Sequence, residues 1–311
     1  MNRRKFLGTS ALACTASQIV EGSTTNHKNR SNRKLLLRGA YYRHYPVDFE
    51  RGTEGALGFK GWGGTVDIEV SADETALVPM HIWNIGFHPE LEFSDIGPAG
   101  GVMEMLEWAS RSVMIIKEEI PPILAAARQA GIRVVHVASD KRYAQNYTGY
   151  AKALDIAGPE PPGYPRAIPH EEVNPPDNRK QSLLFGERYT EDIDFYARRI
   201  DFPDHAKPLD SEYVTVTTHQ LNEVLRYHGI WNLIYIGFAI NWCLWFSPCG
   251  MMDMSRLGYR CSCIEEAVTA VENKESTKGE INKKQALWRT SLMFGYIHSA
   301  RDFIDACGRI T

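Results

Sequence analysis

The segment Gly237-Phe238-Ala239-Ile240-Asn241-Trp242-Cys243-Leu244 follows directly on Asn232-Leu233-Ile234-Tyr235-Ile236, a short β-branched and aromatic run. A run of this kind ending in glycine reads as a buried strand. In an open α/β sheet, ligands bind in the crevice at the carboxyl ends of such strands. Cys243 then stands near a helix N-terminus, where unpaired backbone N–H groups and the helix dipole favour thiolate over thiol. A cysteine after a strand is also a common small core residue, so the rest of the chain has to separate the two readings.

Residues 237–244 resemble the G-x-A-T-N/D-x-C-V/L segment that carries the nucleophile of the isochorismatase-like cysteine hydrolases. Three further pieces fall in the matching order. Ala76-Leu77-Val78-Pro79-Met80-His81-Ile82-Trp83-Asn84 is similar to that family's first strand, usually A-L-L/V-V/I-I-D-M-Q-N. The run from Ile123 to His136 resembles its next helix and strand, and Leu221 to Ile230 the helix before the nucleophile strand. The likeness covers residues 75–272, with a long insertion, and speaks more strongly for fold than for chemistry.

The resemblance implies Cys243 as nucleophile, an oxyanion hole from the N–H groups of Ala239 and Cys243, and a cis peptide between Phe238 and Ala239. The chain departs from the family twice. His81 stands where the family has an aspartate general base, and Thr217 where it has a lysine. A histidine could take the thiol proton as the neutral partner of a Cys-His pair, or only hydrogen-bond in the crevice floor. Trp83, Asn84, Thr217, Asn241 and Trp242 lie beside these positions and are the expected substrate contacts. A metal site from His81, His88 and Asp140 lacks the spacing of the metal-using relatives, and no metal or other cofactor is expected.

The 311 residues are 43% hydrophobic and 23% charged, with a net charge of −3. This is an ordinary globular composition without the basic footprint of a nucleic-acid binder. Asn2-Arg3-Arg4-Lys5-Phe6-Leu7 fits a twin-arginine export signal, and the stretch from Gly8 to Val20 is too short and too polar for a permanent membrane span. Ala11-Leu12-Ala13 offers a cleavage site, and Cys14 offers a lipid anchor as the alternative. The expected location is periplasmic or secreted. Of the six cysteines, Cys243, Cys249, Cys261, Cys263 and Cys307 lie beyond the signal. Cys261-Ser262-Cys263 has no zinc spacing and reads as core of a strand.

Residues 1–30 are thus set aside as signal and linker, 31–74 form an arm rich in aromatics and glycine, and 75–311 form the hydrolase-like domain. Thr65 to Val70 alternates like a half-buried edge strand. Residues 101–131 read as helix, broken or kinked at Pro121-Pro122. Residues 140–210 lose periodicity, with prolines crowding 159–176, and read as an insertion over the crevice or between subunits. Tyr143, Tyr147, Tyr150 and Tyr164 are pocket walls or packing groups. Ala267 to Glu272 reads as a helical turn, and Lys284 to Cys307 as one closing amphipathic helix. The helix after Cys243 reads as core, with an end near Trp242 and Trp245 open to an apolar substrate.

These readings converge on a single α/β domain, a three-layer α-β-α sandwich with a mostly parallel sheet. The expected function is an exported cysteine hydrolase acting on an amide-type C–N bond of a small molecule, as a homo-oligomer. The alternative is an inactive relative that binds a small molecule or scaffolds an assembly.

Overall fold

A computed structural model describes residues 33–42, 63–87, 106–163 and 196–310. The export signal, Cys14, the middle of the arm, His88, Tyr164 and most of the proline-rich stretch lie outside the described residues.

The strands are β1 (Lys34–Tyr41), β2 (Gly64–Ser71), β3 (Thr75–Met80), β4 (Arg133–Val137), β5 (Tyr213–Thr215), β6 (Asn232–Phe238), β7 (Arg260–Thr269) and β8 (Ile297–His298). They form one sheet in the order β2-β1-β8-β7-β6-β3-β4-β5. From β5 to β8 across the sheet every pairing is parallel, and β1 runs against both its neighbours. The helices are α1 (Ala109–Glu118), α2 (Ile120–Gln129), α3 (Lys141–Ala144), α4 (Thr148–Ala157), α5 (Thr218–Tyr227), α6 (Cys243–Phe246), α7 (Met251–Arg256), α8 (Ile281–Met293) and α9 (Ala300–Gly308). Among the described residues no helix is long and apolar enough to cross a membrane.

The three layers follow from strand alternation. In β6, Ile234 and Ile236 face a core made with α1, α2 and α9, while Leu233 and Tyr235 face a second core made with α4, α5, α7 and α8. Because both faces are covered, β3 and β6 are buried along their whole lengths, which is why they read as continuous apolar runs.

The break expected at Pro121-Pro122 is present: α1 ends at Glu118, and the two prolines occupy the first turn of α2, where a missing N–H costs nothing. Other boundaries differ from the sequence expectations. Lys141–Ala144 and Thr148–Ala157 are helical, although 140–210 reads as irregular, because Asp140 caps the first by accepting the Arg142 N–H. The expected helical turn at Ala267 is instead the end of β7, whose last three residues are buried. The expected closing helix is two, α8 and α9, with β8 between them. The break falls at Gly295, where any Cβ would collide with the Cys261 backbone. Only a glycine lets this segment lie close enough to join the sheet. The expected edge strand is β2, which among the described residues pairs with β1 alone.

Candidate active site at the carboxyl ends of β3 and β6

Two adjacent strands deliver the two central residues. The register pairs Met80 with Gly237, so His81 and Phe238 leave β3 and β6 at the same level. Gly237 has φ 120, and a Cβ on it would fall inside the Met80 carbonyl. Pairing of β3 with β4 skips Val78 and Pro79, which has no N–H to donate, and resumes at Met80. His81 then turns out of the strand with φ 51, its N–H donating to the Val137 carbonyl at 3.0 Å.

Beyond Gly237 the peptide Phe238–Ala239 is cis. The turn is anchored on β7: the Ile240 N–H donates to the Thr269 carbonyl at 2.8 Å. The Asn241 side chain donates to the Val271 carbonyl and accepts the Val271 N–H, at 3.0 and 2.9 Å. Arg111 holds the same end of β7 through Thr269 Oγ1 and the Ala270 carbonyl while paired bidentately with Glu107.

Cys243 is the first residue of α6, half-buried. The Ala239 carbonyl accepts the N–H groups of Trp242 and Leu244, both at 3.1 Å. The N–H groups of Ala239 and Cys243 donate to no backbone carbonyl among the described residues. The Ala239 backbone and the Ser247 side chain each favour the Cys243 thiolate. Burial nevertheless pushes the thiol above its ordinary range, and those two groups only partly offset it. This corrects the expectation of a thiolate: α6 has four residues, too few for a substantial dipole, and desolvation wins. Ser247 escaped the sequence reading, although its place four residues after Cys243 puts it one helical turn away.

His81 is buried, and burial drives its pKa down to about 4, so its imidazole is neutral at neutral pH. Its Nδ1 is buried without a hydrogen-bond partner. The ring stacks on Trp83 at 5.8 Å between centroids, Trp83 packs on Trp108, and Trp108 on Phe238, closing an aromatic floor from β3 to β6. Among the described residues no hydrogen bond joins His81 to Cys243.

The residues expected to contact substrate divide. Trp242 is 42% exposed beside Cys243, and Phe246, one turn on, is 64% exposed. Trp245 is buried instead, its indole N–H donating to Thr290 Oγ1 at 3.0 Å. The Trp83 indole donates to Ser139 Oγ at 3.0 Å. Asn84 is a clamp: its amide donates to the Arg199 carbonyl, and its oxygen accepts the Tyr196 hydroxyl and the Asp201 N–H. Thr217 is the N-cap of α5 in a reciprocal capping box with Gln220. Asp140 caps α3 and pairs with Arg142, whose guanidinium holds that carboxyl low. Among the described residues no three His, Cys, Asp or Glu side chains are grouped to hold a metal. Tyr143 and Tyr150 are buried packing groups, and the Tyr147 hydroxyl donates to Asp201.

No protein-family model matches the sequence, and no curated protein does so either. Solved structures do. A cysteine hydrolase from Pseudomonas syringae pv. phaseolicola is similar at 13% identity over 77% of this chain and 94% of its own, with a TM-score of 0.45. An isochorismatase from Pseudomonas putida is similar at 16% identity over 75% and 91%, with a TM-score of 0.37. The N-carbamoylsarcosine amidase of Thermoplasma acidophilum is similar at 15% identity over 73% and 96%, with a TM-score of 0.38.

Proposed function

We propose that the chain is a cysteine hydrolase that cleaves an amide-type C–N bond of a small molecule, with Cys243 as nucleophile and His81 as proton carrier. The observation that carries this reading is a convergence at the carboxyl ends of two adjacent inner strands, β3 and β6. The turn that follows β6 carries Cys243, whose thiolate the Ala239 backbone favours, and His81, with its unpartnered nitrogen, leaves the neighbouring strand β3 at the level of Phe238. The likeness of residues 237–244 to the isochorismatase-like nucleophile segment supports the same chemistry.

At neutral pH both groups are uncharged, the thiol because burial raises it and the imidazole because burial lowers it. Attack of the sulfur on the carbonyl carbon is then coupled to transfer of the thiol proton to His81. The carbonyl electron pair moves onto oxygen, where the N–H groups of Ala239 and Cys243 donate to it. His81 returns the proton to the leaving nitrogen, the amine departs, and a thioester remains. Water, deprotonated by His81, attacks the thioester, releasing a carboxylic acid and restoring the thiol. The exposed rings of Trp242 and Phe246 favour an apolar or aromatic substrate body.

The test is release of ammonia or amine from a panel of small amides by the wild type, Cys243→Ser and His81→Ala. Turnover that disappears in Cys243→Ser supports the reading. Turnover by no amide, or by the serine variant equally, sinks it.

A second reading, an inactive relative that binds a small molecule or scaffolds an assembly, is favoured by one observation: the polar groups of Asn84, Thr217 and Asn241 are all committed to the protein's own backbone. Thermal stabilisation by an amide without turnover would select it. We also propose export by the twin-arginine route, with lipidation of Cys14 as the alternative, and self-association. Fractionation of Arg3→Lys/Arg4→Lys against the wild type tests the first, the N-terminal mass the second, and light scattering the third.

A further inference from the structure

At the amino end of β7 lies a cleft that the hydrolase reading does not use. Arg260 opens β7 and pairs in register with Asn232, the first residue of β6, whereas Cys243 lies past the last. The two places are roughly 20 Å apart along the strand, at about 3.3 Å per residue. The cleft encloses about 400 Å³ and is lined by Tyr41, Tyr42, Arg260, Met293, Phe294 and Tyr296 among others. That volume falls in the range of small-molecule sites.

Arg260 is held rather than loose. Its Nε–H donates to Asn232 Oδ1 at 2.8 Å. Its guanidinium carbon lies 4.7 Å from the Trp231 ring centroid and 5.4 Å from that of Tyr296, so the fork is fixed against two aromatic faces. No carboxylate among the described residues pairs with it, and its two terminal nitrogens have no acceptor there. Partial burial lowers its pKa, the sign of a cation that has lost water without gaining an anion. Arginine is the residue whose planar fork matches a carboxylate through two parallel N–H bonds. Met293 and Phe294, which also line the cleft, are apolar, and Met293 is 61% exposed.

We propose that this cleft is a second binding site, for a small carboxylate with an apolar or aromatic body. The carboxylate takes the free terminal nitrogens of Arg260, and the body lies against Tyr296, Phe294 and Met293. The site is independent of Cys243, so it stands whether or not the chain hydrolyses amides.

The experiment titrates the full chain with 3-phenylpropionate, its neutral amide 3-phenylpropanamide, and inorganic phosphate, read by calorimetry and by fluorescence of Trp231 and its neighbours. Saturable binding of 3-phenylpropionate in the wild type and in Cys243→Ser, at least about tenfold tighter than the amide or phosphate, is expected. Arg260→Gln should weaken it about tenfold or more. Met293→Glu leaves every contact of Arg260 intact and puts a competing carboxylate in the cleft lining. It should weaken binding similarly, which covers the case in which Arg260→Gln does not fold. No saturable binding to the wild type at about 10 mM overturns the proposal. So does binding equal in the wild type and Met293→Glu, or phosphate binding as tightly as 3-phenylpropionate.

Discussion

Gly237 lies with its α-carbon against the Met80 carbonyl, and this contact brings the ends of β6 and β3 together. A Cβ there meets backbone, which cannot swing aside, and φ 120 is a conformation that L side chains avoid. Gly237→Ala should therefore cost about 2–5 kcal/mol. Thermal and urea denaturation measure it, and a stability within about 0.5 kcal/mol of the wild type would show that the strands can part freely.

Cys243 should behave as a hindered, ordinary thiol in the absence of substrate. Its pKa is raised by burial, so iodoacetamide should label it more slowly than free cysteine at pH 7, with a midpoint above that of a free thiol. Since no hydrogen bond joins it to His81, His81→Ala should leave that profile nearly unchanged while reducing any amide turnover about 100-fold or more. Fast labelling at pH 7 that slows in His81→Ala would reveal a preformed ion pair instead. Cys249, Cys261, Cys263 and Cys307 are buried and should not compete.

Acid should destabilise the fold before the carboxylates titrate. Burial lowers His81 and His298 from 6.5 to about 4, so between those values the unfolded chain binds more protons than the native one. Stability then rises with pH across this window, is complete above 6.5, and is lost as pH falls toward 4. Each of the two contributes at most about 3 kcal/mol. Urea midpoints from pH 4 to 7 check the sign, and a flat profile would contradict it.

Glu212 joins β4 to α2 through a buried pair of contacts. It accepts from His136 Nε2 at 2.9 Å and from Arg128 Nε at 2.7 Å. Burial opposes its charge, but those bonds win and bring its pKa down to about 2. His136 is itself lowered by burial, so it donates as a neutral imidazole and Arg128 carries the compensating charge. Glu212→Ala should cost about 3–5 kcal/mol. The wild-type contribution should be present above pH 4.5 and fade as pH falls toward 2. Comparing urea midpoints of the two proteins at pH 7 and pH 3 measures both.

Asn84 clamps Arg199 and Asp201 to the exit of β3, through both its backbone and its side chain. Asn84→Ala should cost about 1–3 kcal/mol and speed limited proteolysis within 196–206. Unchanged cleavage would mean that the clamp is dispensable, leaving the amide available to a ligand.

The central strands were legible because β3, β4 and β6 are covered on both faces and therefore written as apolar runs closed by glycine or by a polar turn. The same pattern located Gly237 and the turn that carries Cys243, whereas an oxyanion hole from the Ala239 and Cys243 N–H groups rested on the resemblance of residues 237–244 alone. The break of the last helix was harder to read: residues 284–307 keep a helical apolar period, and only the contact of Gly295 with Cys261 shows why the chain must flatten into β8. Likewise Asn84, Thr217 and Asn241 are polar residues at strand ends, where both a ligand and a backbone cap are served by the same chemistry. Their partners lie 115 residues away for Asn84, 3 for Thr217 and 30 for Asn241.

Local sequence thus determined the layers, the strand that ends in Gly237 and the cysteine beyond it, because these depend on periodicity and on short-range backbone geometry. Only the tertiary structure decided the charge states of that site and left Arg260 without a carboxylate partner among the described residues. Burial and partner identity are sums over residues distant in the chain, and the pKa of a thiol, an imidazole or a guanidinium answers to that sum rather than to its neighbours in sequence.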